Sequence, residues 1–268
     1  MPIHQRYQLE QVDGARVGLF NAGINFTFIV YRIGDTVIDS GPSNQWSAVR
    51  RFIDEQPVNR LLLTHHHEDH SGNASRIAAH CGVVPLAPAL GQQKLLRGYR
   101  TPLLQKVIWG SPRPVQTNPL PESVQLSDGS DLICIHTPGH AKDLHCFYSP
   151  DNGWLFTGDL YISKSVRYLR ADENLQQHIL SIRKVLALDF DVIFCAHRGI
   201  LADGKQALSE KLNNMLEICA RAQQLHQKGQ GLDQIVTQLL GPEGMMARMT
   251  RNNFSKTNLI AEALKVNV

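Results

Sequence analysis

The chain has 268 residues, of which 43% are apolar and 19% are charged, and its formal net charge is +3 at pH 7. This composition is typical of a globular protein with a large core, built as one big domain or as one domain with an appendage. The sequence contains no apolar stretch near the roughly 20 residues that span a bilayer. It also has no signal-peptide core, and its charge is too small to indicate nucleic-acid binding by itself.

The cysteines predict a reducing compartment. They are odd in number, scattered and never spaced as C-x-x-C, and three of them lie in apolar, strand-like runs. They are Cys81, Cys134, Cys146, Cys195 and Cys219. We interpret all of them as reduced core thiols rather than as disulfides or metal ligands, which predicts a cytoplasmic protein.

The first third of the chain predicts strands and short helices. β-branched and aromatic runs indicate strands, which we place at residues 25–31, 36–39, 60–63 and 81–86. Gly34-Asp35 between the first two runs is a hairpin signal. Helices are predicted over residues 46–55 and through residue 79, and Ser71 or Asn73 can cap the second of them.

Residues 88–122 interrupt this pattern because they are rich in proline. We predict a long ordered loop in this segment. Loops of such length in compact domains usually carry a function. Trp109 and its aliphatic neighbours favour an apolar lid, and surface packing is the alternative.

The remaining sequence predicts further strands and then helices alone. Strand-like runs return at Val124 and alternate with turns up to Asp159. A helix and a strand follow over residues 173–188 and 191–195, and purely helical patterns over residues 204–227, 231–240 and 255–266. The sequence therefore predicts an α/β core over residues 1–203 with a C-terminal helical region over residues 204–268.

Histidine and aspartate residues follow four of the apolar runs. The sequence Thr64–His70, THHHEDH, comes directly after Leu61–Leu63, and later runs lead to His140, Asp159 and His197. Four strand ends that carry such residues predict a two-metal site assembled across a sheet. Imidazole and carboxylate ligands together suit zinc, and also iron or manganese.

The alternation of side chains along a strand suggests which members of this run face the site. It would place His65, His67 and Asp69 on one face, and His66 and Glu68 on the other, away from the metals. Seven candidates would then form two three-ligand sets that share one carboxylate. They are His65, His67, Asp69, His70, His140, Asp159 and His197.

The order of the motifs resembles a known family. The chain contains, in this order, H-x-H-x-D-H, T-P-G-H, F-T-G-D and a final His. This order resembles the metallo-β-lactamase superfamily over roughly residues 15–200, and within it the glyoxalase II-like hydrolases. The resemblance implies a four-layer αββα sandwich with the metals at one edge.

The resemblance also implies a role for each residue. The first metal would be held by His65, His67 and His140, the second by Asp69, His70 and His197, and Asp159 would bridge the two. Asp39 matches a buried aspartate of the family that hydrogen-bonds a ligand imidazole and fixes its tautomer.

Two departures from the family pattern concern the substrate. Glyoxalase-like members often have a further His four residues after the position of His140, where this chain has Leu144, so no role passes to His145. Arg198 follows His197, where many members have only Gly. Arg198 is therefore a candidate substrate contact special to a subgroup.

The predicted site indicates a reaction class. Two divalent ions, with zinc as the expected metal, would share a water and lower its pKa toward about 7, which generates a hydroxide nucleophile at neutral pH. Asp69 can orient this hydroxide or accept its proton while it serves as a ligand. We predict metal-assisted hydrolysis of a small acyl compound, namely a thioester, an ester or a lactone.

A basic segment after Asp159 indicates an anionic group on the substrate. Lys164, Arg167 and Arg170 recur at intervals of three and would share one side of a helical turn, with Tyr161 beside them. Together they would form an anion-binding wall, and a solvated basic face is the alternative. The predicted partner is a small anionic molecule rather than a membrane.

Two other functions stay open. A phosphodiesterase or nuclease would use the same metals, but the small net charge and the lack of a dense Lys/Arg cluster argue against nucleic acid. A non-hydrolytic iron redox protein is the third possibility, although diiron relatives usually have Glu at the position of His67 and a flavin domain. A true β-lactamase is not expected, because Asp159 fits a bridging role that those enzymes lack. The oligomeric state is left open.

Overall fold

The computed structural model, which describes residues 2–21, 23, 26–99 and 101–267, places the strand-like runs of the first half in one seven-stranded sheet. Its strands lie side by side in chain order: β1 (Gln5–Leu9), β2 (Val12–Gly18), β3 (Thr27–Ile33), β4 (Thr36–Ile38), β5 (Arg60–Leu62), β6 (Leu86–Ala87) and β7 (Asn118–Pro119). The first four strands are antiparallel, and β4 to β7 are parallel. The predicted hairpin at Gly34-Asp35 is confirmed, with Ile33 opposite Thr36. Asn25, where the predicted strand begins, lies outside the described residues.

The second half of the core forms a six-stranded sheet. In chain order its strands are β8 (Ser123–Gln125), β9 (Asp131–His136), β10 (His145–Ser149), β11 (Trp154–Gly158), β13 (Val192–Cys195) and β14 (Gly199–Leu201). A separate ribbon pairs β12 (Leu169–Arg170) with β15 (Phe254–Ser255). Only β11 and β13 of the large second sheet are parallel neighbours, so their carboxyl ends point the same way.

Helices cover the outer face of each sheet. Against the first sheet lie α1 (Trp46–Ile53), α2 (Ala74–Cys81), α3 (Ala89–Arg97) and α4 (Leu103–Trp109). After β12 come α5 (Leu175–Leu186), α6 (Gly204–Gln227), α7 (Leu232–Leu240), α8 (Met245–Met249) and α9 (Lys256–Ala263). Helices α5, α6, α7 and α9 share one apolar core with the second sheet. The boundary between residues 203 and 204 stays a prediction. Within the described residues, no helix combines the length and the apolar character that crossing a membrane requires.

The two sheets face each other across an aromatic core. Phe156 of β11 stacks on Phe194 of β13 with ring centroids 4.5 Å apart, and Tyr31 of β3 packs edge-on against Phe194 at 5.6 Å. Every residue of β3 is buried, because the sheet is covered by helices on one side and by the second sheet on the other. This explains why β3 carries apolar residues at consecutive positions instead of alternating them with polar ones.

The prediction of a loop over residues 88–122 is wrong, because α3 and α4 lie within it. Pro88 and Pro102 occupy the N-cap positions of these helices, each with φ of −54°. The fixed φ of proline is compatible with a helix start, so these prolines begin helices instead of preventing them. Pro119 lies in the edge strand β7, where its missing N–H costs no internal ladder bond.

One shorter prediction is also wrong, and the prediction of C-terminal helices is confirmed but incomplete. The strand predicted over residues 81–86 is mostly absent, because α2 continues through Cys81 and ends at Gly82, whose φ of +71° is left-handed. The C-terminal region is not purely helical, since β15 pairs with β12. A two-residue strand is too short to have a detectable period. The predicted cap at Ser255 is confirmed, since its side chain accepts a hydrogen bond from the N–H of Asn258.

The aromatic core gives a stability prediction. Phe156 is 1% exposed and stacks on Phe194, so Phe156→Ala should lower the free energy of unfolding by about 3–5 kcal/mol, measured by urea denaturation. Phe20→Ala serves as the control, because Phe20 is 58% exposed. That change should stay within about 0.5 kcal/mol. Equal losses for the two variants would contradict the assigned core.

Candidate metal centre

Histidine and aspartate side chains from four loops converge at one edge of the two sheets. Thr64–His70 follows β5, His140 lies between β9 and β10, Asp159 directly follows β11, and His197 lies in the turn after β13. The structure brings seven side chains together here, and all of them are buried: His65, His67, Asp69, His70, His140, Asp159 and His197.

The first group of donors is centred on His67. Its Nδ1 lies 2.9 Å from Nε2 of His65 and 3.1 Å from Nε2 of His140. The same His140 nitrogen lies 3.1 Å from Oδ2 of Asp159. The ligand atoms of these four residues all lie within 4.8 Å of one another, which is close enough for one cation to contact them together.

The second group uses the other oxygen of the same carboxylate. Oδ1 of Asp159 lies 3.2 Å from Nε2 of His70 and 3.2 Å from Nε2 of His197. Oδ2 of Asp69 lies 3.5 Å from Nε2 of His197 and completes the group. Asp159 therefore belongs to both groups, with one oxygen toward each.

The protonation equilibria of the site suit cation binding. Burial, and then the neighbouring imidazoles, hold the pKa of His65 and of His67 well below the usual value, so both rings are neutral donors. Burial would raise the pKa of Asp159, but the imidazoles of His70 and His197 outweigh it and hold that pKa well below the usual value. The shared carboxylate is therefore ionised.

Hydrogen-bonding residues outside the two donor groups orient the imidazole rings of the ligands. Asp39, whose φ of +58° lies in the left-handed region, accepts hydrogen bonds from Nδ1 of His70 at 2.7 Å and from the backbone N–H of Thr64 at 2.8 Å. The Thr64 hydroxyl lies 3.0 Å from Nδ1 of His65. Burial would lower the pKa of His70, but Asp39 and then Asp159 raise it well above the usual value. The outer hydrogen bonds direct the ring Nε2 atoms toward the site.

A carboxylate that the sequence analysis missed supports His140. Oε1 of Glu173 lies 3.1 Å from Nδ1 of His140. Burial opposes protonation of His140, but Glu173 and then Asp159 raise its pKa to about 9. Glu173 lies just before helix α5, a place where acidic residues are common, so no local spacing distinguished it.

Helix α5 is brought to the site through Gly139. A Cβ on this residue would lie 2.4 Å from Cα of His178, and its φ is +141°. The carbonyl of Gly139 also accepts a hydrogen bond from the N–H of Asn174 at 2.8 Å. Only glycine permits this approach, and the approach places Glu173 beside His140.

In the described part of the chain, two donor atoms of the site lack a partner that a metal ion would supply. Nε2 of His70 and Oδ1 of Asp159 are fully buried, and neither has a hydrogen-bond partner of suitable geometry among the described residues. Buried polar atoms without a partner are rare and need an explanation. A cation between the donors would satisfy them, and the mixed nitrogen and oxygen set fits zinc, with iron and manganese as alternatives.

The predicted substrate contacts have described bonds with groups other than these ligands. Tyr161 is buried, the exposed Arg198 donates to the carbonyl of Ile162 at 2.9 Å, and the exposed Lys164 pairs with Glu210 at 3.6 Å. Neither Lys164 nor Arg198 is among the donors of the two groups.

The predicted helical turn over residues 164–170 is wrong, because the segment is irregular and then enters β12. The N–H of Val166 bonds to the Asn214 side chain instead of closing a helical turn. Arg167 is exposed. Arg170, by contrast, is mostly buried, lies 3.1 Å from Asp172 and packs over the Phe254 ring at 5.5 Å.

Arg170 lies beside the site. Its charge contributes, after burial and the charge of His65, to the low pKa of His67. It also acts on Glu68: burial and then Asp69 raise the pKa of Glu68 to about 7, and Arg170 opposes them. The cation therefore lies within electrostatic reach of the first donor group.

His66 belongs to neither donor group. Its ring Nδ1 lies 2.7 Å from Oδ1 of Asp143, and its backbone N–H donates to Oδ2 of Asp143 at 2.9 Å. Lys94 Nζ lies 2.9 Å from its Nε2, and the Tyr99 hydroxyl donates to its carbonyl at 2.6 Å. These contacts tie helix α3 and the turn after it to the ligand loop.

A comparison with family models gives an independent result. A model described as the metallo-beta-lactamase superfamily matches residues 22–197. This range contains all seven converging side chains.

Individual proteins show the same relationship. A hydroxyacylglutathione hydrolase from Citrobacter koseri is 32% identical over 151 residues, which cover 56% of this chain and 51% of that protein. An atrochrysone carboxyl ACP thioesterase from Aspergillus fumigatus is 22% identical over 182 residues, which cover 66% and 51%. The chain spans about half the length of the curated relatives it matches.

A solved structure matches the whole chain. A beta-lactamase domain protein from Burkholderia ambifaria has a TM-score of 0.74 over 99% of this chain and 89% of that chain, at 18% identity. At this identity the likeness concerns the fold alone, and it confirms the αββα sandwich with C-terminal helices.

The Asp39 hydrogen bonds can be tested through metal affinity. Asp39→Asn removes the charge that supports His70, so the affinity for zinc should fall about 10–100-fold in a chelator-competition titration. Asp151→Asn, in an exposed turn, is the control and should bind zinc as the unchanged protein does. Circular dichroism shows whether each variant is folded. A folded Asp39→Asn protein with unchanged affinity would contradict the role of Asp39.

Proposed function

The chain belongs to the metallo-β-lactamase superfamily, and from this membership we propose that it is a hydrolase that uses two divalent ions, preferably zinc, on small acyl thioesters. The observation that carries the proposal is the position of Asp159. One of its oxygens faces the group of His67 and the other faces the group of His197. A shared carboxylate between two donor groups is what a dinuclear site requires.

The thioester is favoured over other acyl compounds by the relatives. One is named a hydroxyacylglutathione hydrolase and another an ACP thioesterase, and both names describe cleavage of a bond between an acyl group and sulfur. Esters and lactones are attacked at the same type of carbonyl carbon, so they are the next substrates to compare. A cytoplasmic location stays a prediction.

The chain's own residues would divide the work of the reaction. His65, His67 and His140 would hold one ion, and Asp69, His70 and His197 the other, with Asp159 common to both. When bound, the ions would lower the pKa of a water and polarise the substrate carbonyl. Asp69 would orient the attacking water and accept its proton while it serves as a ligand.

A cysteine nucleophile is not needed and is not favoured. Cys195 lies two residues before His197, but burial raises the pKa of its thiol to about 11. Its sulfur donates to the carbonyl of Tyr161 and accepts from the N–H of His197. A thiol held protonated in this way is a poor nucleophile at neutral pH.

Arg170 is the best-placed residue for an anionic group on the substrate. It is held by Asp172 and Phe254 and acts electrostatically on His67. Lys164, Arg167, Arg198 and Tyr161 remain proposed substrate contacts of lower rank, since Lys164 pairs with Glu210 and Arg198 donates to the carbonyl of Ile162.

Removal of the shared carboxylate tests the dinuclear mechanism. Asp159→Ala should lower kcat/KM for an acyl thioester at least about 1000-fold and reduce the metal content from about two ions per chain toward one, measured by elemental analysis. His67→Ala should have a comparable effect, because it removes a central donor of the first group. Both variants should keep the circular dichroism spectrum of the unchanged protein.

The control for these variants is Asp189→Ala, since the Asp189 side chain is fully exposed and pairs only with Lys205 at 3.8 Å in the described structure. It should keep full activity and metal content. Normal turnover by folded Asp159→Ala protein would rule out the dinuclear mechanism.

Arg170 can be tested through the charge of the substrate. Arg170→Gln should raise KM for a thioester with a free carboxylate about tenfold, because a charge-assisted contact is lost. KM for a neutral thioester of similar size should change little in the same steady-state assay. Arg167→Gln, three residues earlier and exposed, is the matched comparison. Equal KM changes for both substrates in Arg170→Gln would remove Arg170 from the substrate site.

A further inference from the structure

Helices α3 and α4 form a surface at the border of the candidate metal centre. At one end of this segment the Tyr99 hydroxyl donates to the carbonyl of His66 at 2.6 Å. At the other end the Trp109 ring lies 6.4 Å from the ring of His197. The outward side, which we call the α3–α4 face, carries the exposed side chains Leu96, Arg97, Leu103, Lys106 and Val107.

The α3–α4 face lies in a stretch without acidic residues. Between Asp69 and Glu122 the sequence contains no Asp or Glu and six Lys or Arg residues, although the whole chain has nearly equal numbers, 27 basic and 24 acidic. Within the described residues, Arg97 and Lys106 take part in no ion pair. The charges of Arg97 and Lys106 are therefore available to an anionic partner.

The same face exposes large aliphatic side chains. Leu103 is 79% exposed, Val107 58% and Leu96 51%. Leu103, Lys106 and Val107 are spaced i, i+3 and i+4, so apolar and basic side chains share the outward side of α4. Adjacent exposed apolar side chains beside unpaired cations are typical of a surface that binds a protein partner.

These features distinguish between anionic partners. Phosphates of a nucleic acid would use the cations but leave the three aliphatic side chains without contacts. A membrane would use both, yet these side chains together have fewer carbons than a single myristoyl chain, which alone gives only marginal membrane binding. An acidic helical protein offers carboxylates and apolar side chains at matching spacing.

We infer that the α3–α4 face docks an acidic carrier protein that presents an acyl thioester on a flexible arm. The inference rests on the proposed thioester hydrolysis and adds the form in which the substrate arrives. Docking at this face places the base of the arm beside Tyr99 and Trp109, which border the ligand loop and His197 respectively. The cations steer the carrier, and Leu103 and Val107 make the apolar contact.

The experiment compares two forms of one acyl group in the metal-loaded protein: octanoyl-N-acetylcysteamine, a small neutral thioester, and octanoyl-loaded acyl carrier protein. Arg97→Glu/Lys106→Glu should lower kcat/KM for the carrier-bound form about tenfold or more at low salt, mainly through KM, and the effect should shrink as salt rises. Hydrolysis of the small thioester should change less than about twofold, because no ligand is altered.

The matched control is Arg183→Glu/Lys228→Glu, which makes the same change of charge at exposed positions of α5 and beyond α6. If the control lowers carrier hydrolysis as much as the test variant does, the docking site is wrong. Suppose that the wild-type protein hydrolyses the small thioester and that Arg97→Glu/Lys106→Glu hydrolyses the carrier-bound form as well as the wild-type protein does. This result overturns the docking inference and leaves the proposed function standing. Hydrolysis of neither form by the wild-type protein overturns the proposed function itself.

A vesicle assay separates the membrane alternative. Wild-type protein should stay in solution with phosphatidylglycerol vesicles at physiological salt. If the wild-type protein sediments with these vesicles and Arg97→Glu/Lys106→Glu does not, the face is a membrane site and the carrier inference is overturned.

Discussion

The carboxylate of Asp159, buried among three imidazoles, is the interaction on which the edge of the sandwich depends. An ionised group at this depth is tolerated only when opposite charge and hydrogen bonds surround it. Here His70 and His197 face one oxygen and His140 faces the other. The arrangement is stable only if four loops from both sheets keep their relative positions, so the sheets below the site must be rigid.

That rigidity comes from the core between the sheets and from the helices behind the second sheet. Leu160 follows Asp159, and its carbonyl accepts hydrogen bonds from His178 of α5 at 3.0 Å and from Lys211 of α6 at 2.7 Å. Burial lowers the pKa of Lys211 to about 8, although Glu173 and Asp159 oppose this. The C-terminal helices thus hold the backbone next to the shared carboxylate, and they are part of the support of the site as well as a cover for the sheet.

The fold could be predicted from the sequence where a pattern was long enough to have a period. The helix predicted over residues 204–227 is confirmed residue for residue as α6, because six turns of helix repeat their apolar spacing many times. The prediction was wrong where proline was taken as a sign of a loop: α3 and α4 each begin directly after a proline. It also missed β12 and β15, whose pairing joins segments about 85 residues apart along the chain, and no local pattern encodes such a contact.

By itself, the sequence determined which histidines and aspartates were candidates for the site, because each follows an apolar strand and therefore must lie at the end of one. Only the tertiary structure decided what surrounds them. Glu173 reaches His140 through the packing of α5 on Gly139, and Arg170 is placed beside the site by the β12–β15 pairing, whereas Lys164 pairs with Glu210 instead. The physical reason is that ligand order is a property of consecutive residues, while supporting charges come from helices and strands that meet only when the sheets are packed.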